Sequence, residues 1–91
     1  MQRVDMKVDL FLKLSLLEKT KALYCVGTFI TDIRYYKYKI NLYLYLNNYF
    51  EVFIDHKKAT IEKIEPLAFR SKRIKFYTDQ LEIQRHYIKA K

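Results

Sequence analysis

Two histidines and one short run of residues carry the side chains best suited to acid–base chemistry. His56 follows the central part of the chain, and His86 lies in Arg85-His86-Tyr87 near the C-terminus. Histidine is the usual general acid or base near neutral pH. Arginine can stabilise a pentavalent phosphate and tyrosine can orient it, so this run offers the residue types of a metal-independent ribonuclease. Exposed histidines without a chemical role are the simpler interpretation, because neighbours in a strand point to opposite faces.

The chain carries no other signature of catalysis. No spacing of histidine and acidic residues indicates a metal site, and no glycine-rich loop is present to hold a nucleotide. We therefore expect neither a metal nor a cofactor. The single cysteine, Cys25, excludes an internal disulfide and a cysteine-based zinc site. We predict that its thiol is buried as a small hydrophobic group.

The charge is strongly positive and unevenly distributed. The net charge is +8, of which residues 1–33 contribute +1, residues 34–58 contribute +3 and residues 59–91 contribute +4. Such an excess suggests an anionic partner, and nucleic acid is the commonest one. The charge therefore predicts binding of nucleic acid, RNA in preference to DNA, although an acidic protein partner would suit the same surface.

The clearest structural pattern lies in residues 39–56, KINLYLYLNNYFEVFIDH. Alternating residues on both sides of Asn47-Asn48 predict an antiparallel hairpin, because asparagine tolerates the positive φ of a two-residue turn. One predicted face, which would pack on a helix, holds Ile40, Leu42, Leu44, Leu46, Phe50, Val52 and Ile54. The predicted solvent face holds Lys39, Asn41, Tyr43, Tyr45, Glu51, Phe53 and Asp55.

An exposed sheet face with aromatic rings beside cations can stack bases and hold phosphates. Lys37 would extend such a platform, as would Arg73, Lys75 and Tyr77 if their strand lies adjacent. The cations that follow Pro66 can position phosphates without reading sequence, or can protect a strand edge from aggregation as lysines commonly do. The residues predicted to bind nucleic acid or a partner are Lys37, Lys39, Tyr43, Tyr45, Arg70, Lys72, Arg73, Lys75 and Tyr77. The same aromatic residues also fit a homodimer interface or a face that only meets solvent.

The N-terminal part contains two competing periodicities. Residues 4–16 place apolar side chains at every even position, which favours a long strand over a helix that begins at a nearby aspartate. Ser15 and Glu18 have the spacing of a capping box and predict a helix over residues 16–26. Gly27 stands where a left-handed residue would end that helix.

The remaining segments complete the predicted fold. Residues 28–34 are rich in β-branched side chains, residues 60–65 fit a strand or a helical turn, and residues 73–78 alternate as a strand does. Residues 81–88 are amphipathic without a clear period. Together these patterns predict one α+β domain, with a single antiparallel sheet of four to six strands around the hairpin at 39–56 and one helix packed on one face.

Size, positive charge, aromatic strands and Arg85-His86-Tyr87 together resemble bacterial toxin components of toxin–antitoxin pairs, the RelE-like ribonucleases included. The resemblance implies a toxin-like component of such a pair. The helix-first pattern and the closely spaced arginines of that family are not evident in this sequence, so no residue roles are carried over.

The distribution of charged residues argues against a secreted protein and against a membrane-spanning helix. Charges interrupt the N-terminal region too often for a signal-peptide core, and no apolar stretch approaches the roughly 20 residues of a membrane helix. We expect a cytoplasmic protein without a membrane partner. The sequence thus favours a small nucleic-acid-associated protein, with a non-catalytic interaction module as the alternative.

Overall fold

The computed structural model describes the backbone of residues 6–89 and the side chains of residues 6–81. The described residues form three helices and one four-stranded antiparallel sheet whose strand order follows the chain. The elements are α1 (Met6–Leu12), α2 (Leu16–Val26), β1 (Thr28–Tyr35), β2 (Tyr38–Tyr45), β3 (Asn48–Asp55), β4 (Ile61–Pro66) and α3 (Ile74–Lys89). The predicted α+β class and single sheet are confirmed.

A strand was predicted over residues 4–16, but the structure has helix α1 there. The prediction is therefore wrong for the residues that the structure describes, and residues 4 and 5 lie outside the described part. Val8, Phe11 and Leu12 have the spacing of one helical face, and all three pack into the core. Phe11 is only 4% exposed. Burial of this face therefore decides the structure, and the even spacing of the apolar residues is incidental.

Helix α2 begins as predicted, with both hydrogen bonds of the capping box. The Glu18 backbone N–H donates to Ser15 Oγ at 3.1 Å, and the Ser15 N–H donates to Glu18 Oε1 at 3.3 Å. Gly27 ends the helix, but its backbone is extended, with φ −80°, so the predicted left-handed conformation is wrong. Glycine is needed there because a Cβ atom would approach the Leu23 carbonyl oxygen to 2.6 Å.

The central hairpin is confirmed, but its turn lies one residue earlier than predicted. Leu46 and Asn47 occupy the turn, with φ of 54° and 60°, and Tyr45 pairs with Asn48. Opposite residues of an antiparallel pair share a face of the sheet. Tyr43 is opposite Phe50 and Leu42 is opposite Glu51, so even-numbered residues of β2 share a face with odd-numbered residues of β3. The predicted division of the hairpin into an aliphatic face and a tyrosine face grouped the even-numbered residues of both strands and is therefore wrong.

The segment after β4 is helical where a strand was predicted over residues 73–78. A turn at Ser71 leads into the helix: the Ser71 Oγ accepts the Arg73 N–H at 3.1 Å, and the Ser71 carbonyl accepts the Ile74 N–H at 3.2 Å. Ile74, Tyr77 and Leu81 then line one side of α3, at helical spacing. Residues 60–65 resolve as strand β4, which ends at Pro66.

Helices cover both faces of the sheet, whereas one helix on one face was predicted. Phe11 of α1 and Leu23 of α2 pack against Phe50 and Val52 on one face, called here the α2 face. On the opposite face, the α3 face, Tyr77 packs with a second cluster. The other buried members of that cluster are Ile33, Ile40, Leu42 and Phe53. None of the described helices has the length and hydrophobicity to cross a membrane.

Candidate functional site

A buried ion pair joins the sheet to the start of α3. The Glu51 side chain is fully buried on the α3 face. The Arg73 guanidinium donates from Nε to Glu51 Oε2 at 2.7 Å and from Nη2 to Oε1 at 2.8 Å. The Tyr77 hydroxyl donates to Glu51 Oε2 at 2.8 Å. Three charge-assisted hydrogen bonds thus satisfy a carboxylate that would otherwise be costly to bury.

Aromatic rings enclose the Arg73 guanidinium. Its Cζ atom lies 5.3 Å from the ring centres of both Tyr35 and Phe53. The hydrogen bond to Glu51 raises the pKa of Arg73 further above its ordinary value, so the guanidinium stays charged. Burial, reinforced by the bond to Glu51, also raises the pKa of the Tyr77 hydroxyl well above 10.0. Arg73 and Tyr77, both predicted to contact nucleic acid, are therefore engaged inside the protein.

Solvent-facing aromatic side chains adjoin this buried cluster. Tyr36 occupies the β1–β2 turn with φ 57°, and it is 87% exposed. Its ring centre lies 4.6 Å from that of Tyr35, and the Tyr35 ring lies 5.9 Å from that of Phe76 on α3. Phe76 is itself 46% exposed. The rings thus run from the turn to the first turns of α3.

Cations accompany these rings. Lys72 and Lys75 are exposed at the start of α3, and Lys72 precedes Phe76 by one helical turn. Lys37 follows Tyr36 in the turn, and its Nζ atom is 3.8 Å from Asp55 and 3.9 Å from Glu62. We call the surface formed by Tyr36, Lys37, Lys72, Lys75 and Phe76 the α3 rim. Arg70 is exposed in the loop that leads to it.

The rest of the predicted platform lies on the α2 face. Tyr43 stacks on Tyr24 of α2, with ring centres 5.5 Å apart, and burial raises its pKa. Tyr45 packs edge-on against Phe11 at 5.2 Å. Lys39 is 3.8 Å from Asp32. The structure therefore separates Lys39, Tyr43 and Tyr45 from the predicted residues near α3, and a single continuous platform is not formed.

Of the two histidines, only His56 has a described side chain. His56 is exposed, and its backbone N–H donates to the Lys37 carbonyl at 2.9 Å. His86 lies on α3 among the residues whose side chains are outside the description. Among residues 6–81, no three His, Cys, Asp or Glu side chains are placed to hold a metal. Cys25 is exposed, so the predicted buried thiol is wrong.

Two features of this region were missed from the sequence. Glu51 stands in the apolar run FEVF, and a lone acid in such a run indicates a buried carboxylate that needs a partner. Tyr36 gave no signal, because turn residues with positive φ are usually glycine or asparagine. No protein-family model, curated protein or solved structure matches the chain. Any function of the α3 rim is therefore inferred from its geometry.

Proposed function

We propose that the protein binds single-stranded nucleic acid, RNA in preference to DNA, through the α3 rim. The observation that supports this most directly is Tyr36, a large aromatic residue that is 87% exposed at a turn position with φ 57°. A non-glycine residue in this conformation costs about 1–3 kcal/mol and often marks a functional site. Glycine or asparagine would form the turn with less strain.

The rim combines the two kinds of group that such binding needs. Exposed rings at Tyr36 and Phe76 offer faces for unstacked bases, and the ammonium groups of Lys72 and Lys75 offer partners for phosphates. The buried pair of Arg73 and Glu51 fixes α3 against the sheet, so it holds the rings and cations in one arrangement. Single-stranded RNA is the usual target of aromatic stacking, which favours RNA here.

The proposal is tested first with Tyr36→Asn and a labelled single-stranded RNA. Asparagine accepts the positive φ, so the turn is kept while the ring is lost. We expect affinity to fall about fivefold to a hundredfold, the value of one stacked base. Tyr24→Ala removes a half-exposed ring from the α2 face and serves as the matched control. Equal affinity of the parent and Tyr36→Asn contradicts the proposal.

The role of the lysines is tested by the salt dependence of binding. For the parent, we expect affinity to drop steeply between about 50 and 200 mM salt, because counterions are released from the RNA. The double variant Lys72→Gln and Lys75→Gln removes two phosphate partners and flattens that slope by about 2. Lys21→Gln, on the exposed side of α2, leaves the slope unchanged. Weak binding at low salt, or the same slope in all three proteins, rejects this interface. The preference for RNA is tested separately, by measuring the affinity for a single-stranded DNA of the same sequence.

A second candidate function is a homodimerising interaction module, and the outer side of α1 and α2 favours it. Met6 is 72% exposed, Leu10 62% and Leu17 64%, although α1 already buries Phe11 on its inner side. Exposed clusters of large apolar side chains often mark a protein–protein interaction surface. Because helices cover Tyr43 and Tyr45, this outer side replaces the tyrosine-rich sheet face as the proposed contact.

Sedimentation velocity at increasing protein concentration separates this candidate from the first. A dimer that Leu10→Lys with Leu17→Lys dissociates supports it, while a parent that remains monomeric at high concentration rejects it. RNA binding that survives these two substitutions assigns nucleic-acid recognition to the α3 rim alone.

The proposed setting is the bacterial cytoplasm, as the toxin-like component of a toxin–antitoxin pair. Small size, positive charge and Arg85-His86-Tyr87 support this setting. The two helices ahead of the sheet also supply a helix-first order that was not evident from the sequence. Induced expression in bacteria tests it: growth arrest that Tyr36→Asn relieves is expected, and normal growth contradicts it.

A further inference from the structure

A separate cavity lies on the α3 face, between the sheet and α3. Its volume is about 200 Å³. The described lining consists of Ile30, Leu42, Tyr49, Leu67, Ile74, Tyr77, Thr78 and Leu81. Tyr49 is 47% exposed and Leu81 38%, so the cavity opens to solvent beside these two side chains.

Two of the three hydroxyl-bearing residues in the described lining already donate their hydroxyl hydrogen within the protein. The Tyr77 hydroxyl donates to Glu51 Oε2 at 2.8 Å, and the Thr78 hydroxyl donates to the Lys75 carbonyl at 3.0 Å. The third hydroxyl belongs to Tyr49, which stands at the opening. The described lining includes no charged side chain. A hydrogen-bond acceptor placed inside would lose its water and would find no free hydroxyl donor on Tyr77 or Thr78, so the interior suits an apolar group.

From this geometry we infer that the cavity is a binding site for a small apolar group: one aromatic ring or a short hydrocarbon chain. An apolar cavity of about 150 Å³ is large enough to bind benzene, and this cavity is somewhat larger. Because the site is open at Tyr49 and Leu81, the remainder of a ligand can stay in solvent. The ligand class is therefore a molecule with an apolar end that enters the cavity and a polar end that does not.

Toluene and methylpyrazine form a matched pair of probes, since they share a shape and methylpyrazine carries a nitrogen at each of two opposite ring positions. Each is titrated into isotopically labelled protein, and the methyl signals of Ile30, Leu42, Ile74 and Leu81 are followed by NMR. We expect saturable shifts with toluene that are confined to these methyl groups. Methylpyrazine should bind about tenfold more weakly or worse, because one of its opposed nitrogens must enter the cavity and lose its water whichever end of the ring faces the opening. Shifts that do not saturate, spread over the surface, or are equal for the two probes overturn the inference.

Two substitutions that add the same ring at different places locate the site. Thr78→Phe fills the cavity from the helix side and should weaken toluene binding at least about tenfold. Thr60→Phe adds a ring at an exposed position after β3, at the other end of the sheet, and should leave binding unchanged. Equal loss in both variants contradicts the assignment. The comparison of the two probes on the parent protein decides the question even where Thr78→Phe does not fold.

Discussion

The two faces of the sheet are closed by different kinds of interaction. On the α2 face, the buried residues are all apolar: Phe11, Leu23, Phe50, Val52 and Ile64. On the α3 face, an apolar cluster surrounds a carboxylate, a guanidinium and a phenol that are joined by hydrogen bonds. Apolar packing tolerates small displacements, whereas a bidentate ion pair fixes distance and direction. The comparison indicates that α1 and α2 mainly stabilise the sheet. The ion pair, in contrast, holds α3 in a defined position, and with it the part of the α3 rim that α3 carries.

The largest effect is expected from Glu51→Ala. The substitution leaves the Arg73 guanidinium and the Tyr77 hydroxyl without their partner in a largely enclosed site. Removal of one member of a buried pair lowers the free energy of unfolding by about 3–5 kcal/mol. Urea denaturation followed by circular dichroism measures the loss. A loss below about 1 kcal/mol would show that water replaces the carboxylate and that the two faces do not differ in this way.

Leu23→Ala makes the corresponding test on the α2 face. Leu23 is completely buried, so truncation leaves a cavity and costs about 2–4 kcal/mol. The loss should be independent of salt and of pH between 5 and 9, because no charged group is involved. Partial recovery by a larger neighbour, such as Ala22→Val, would demonstrate the tolerance to repacking that we assign to this face.

A triple substitution replaces the hydrogen-bonded cluster of the α3 face with apolar side chains. Glu51→Leu, Arg73→Met and Tyr77→Phe together remove every member of the hydrogen-bonded cluster. Replacement of a whole buried ion pair by apolar residues is often close to neutral, so we expect stability within about 1–2 kcal/mol of the parent. Affinity for RNA should fall all the same if the pair positions the α3 rim. Unchanged RNA affinity in this stable variant would remove the positioning role.

Tyr77→Phe gives a smaller effect with a distinct pH dependence. Loss of a hydrogen bond to a charged group costs about 1.5–3 kcal/mol. Burial and Glu51 raise the pKa of Tyr77 in the folded protein above its ordinary 10.0. Its contribution is therefore complete below pH 10 and is lost as the pH rises above 10, where the unfolded chain ionises first. The stability advantage of the parent over Tyr77→Phe should be flat from pH 6 to 9 and shrink above pH 10; an advantage at pH 11 as large as that at pH 9 contradicts this.

The smallest effect on stability is expected from substitutions in the two tight turns, which contain Tyr36 and Leu46. Tyr36 and Leu46 have almost the same φ, 57° and 54°, but Leu46 packs against the apolar core of the α2 face while Tyr36 is exposed. Tyr36→Asn should therefore raise the free energy of unfolding by up to about 1 kcal/mol, because the relief of strain outweighs the loss of the exposed ring's contact with Tyr35. Leu46→Asn should lower it through lost packing. Thermal unfolding of both variants distinguishes them, and a loss of stability in Tyr36→Asn would mean that its ring has a structural role.

Local signals determined which parts of this fold could be predicted. The capping box of Ser15 and Glu18 and the alternation in residues 39–56 act within a few residues, and both give correct elements. Errors arose where a distant contact decides the outcome. Phe11 selects a helix for α1 by packing on Tyr45 and Phe50. The pairing of the two hairpin strands, with Tyr43 opposite Phe50, determines which of their side chains share a face.

For the same reason, the candidate site could be predicted only in part from the sequence. The sequence places cations at Lys72 and Lys75, and both side chains are exposed. It could not reveal that Arg73 pairs with Glu51, because the two residues are 22 positions apart and meet only when α3 lies on the sheet. Tyr36 is visible as a candidate only once its exposure and its φ are known.

The connectivity of the sheet has a consequence for how quickly the chain folds. Each strand pairs with the strand that precedes or follows it, and two of the three connections are two-residue turns. Such short-range pairing gives low contact order, which is associated with fast folding. The hairpins can form one after another during synthesis, in the order β1 to β4. Docking of α3 must wait until Arg73 reaches Glu51, so closure of the ion pair is the natural final step and the α3 rim is the last surface to be completed.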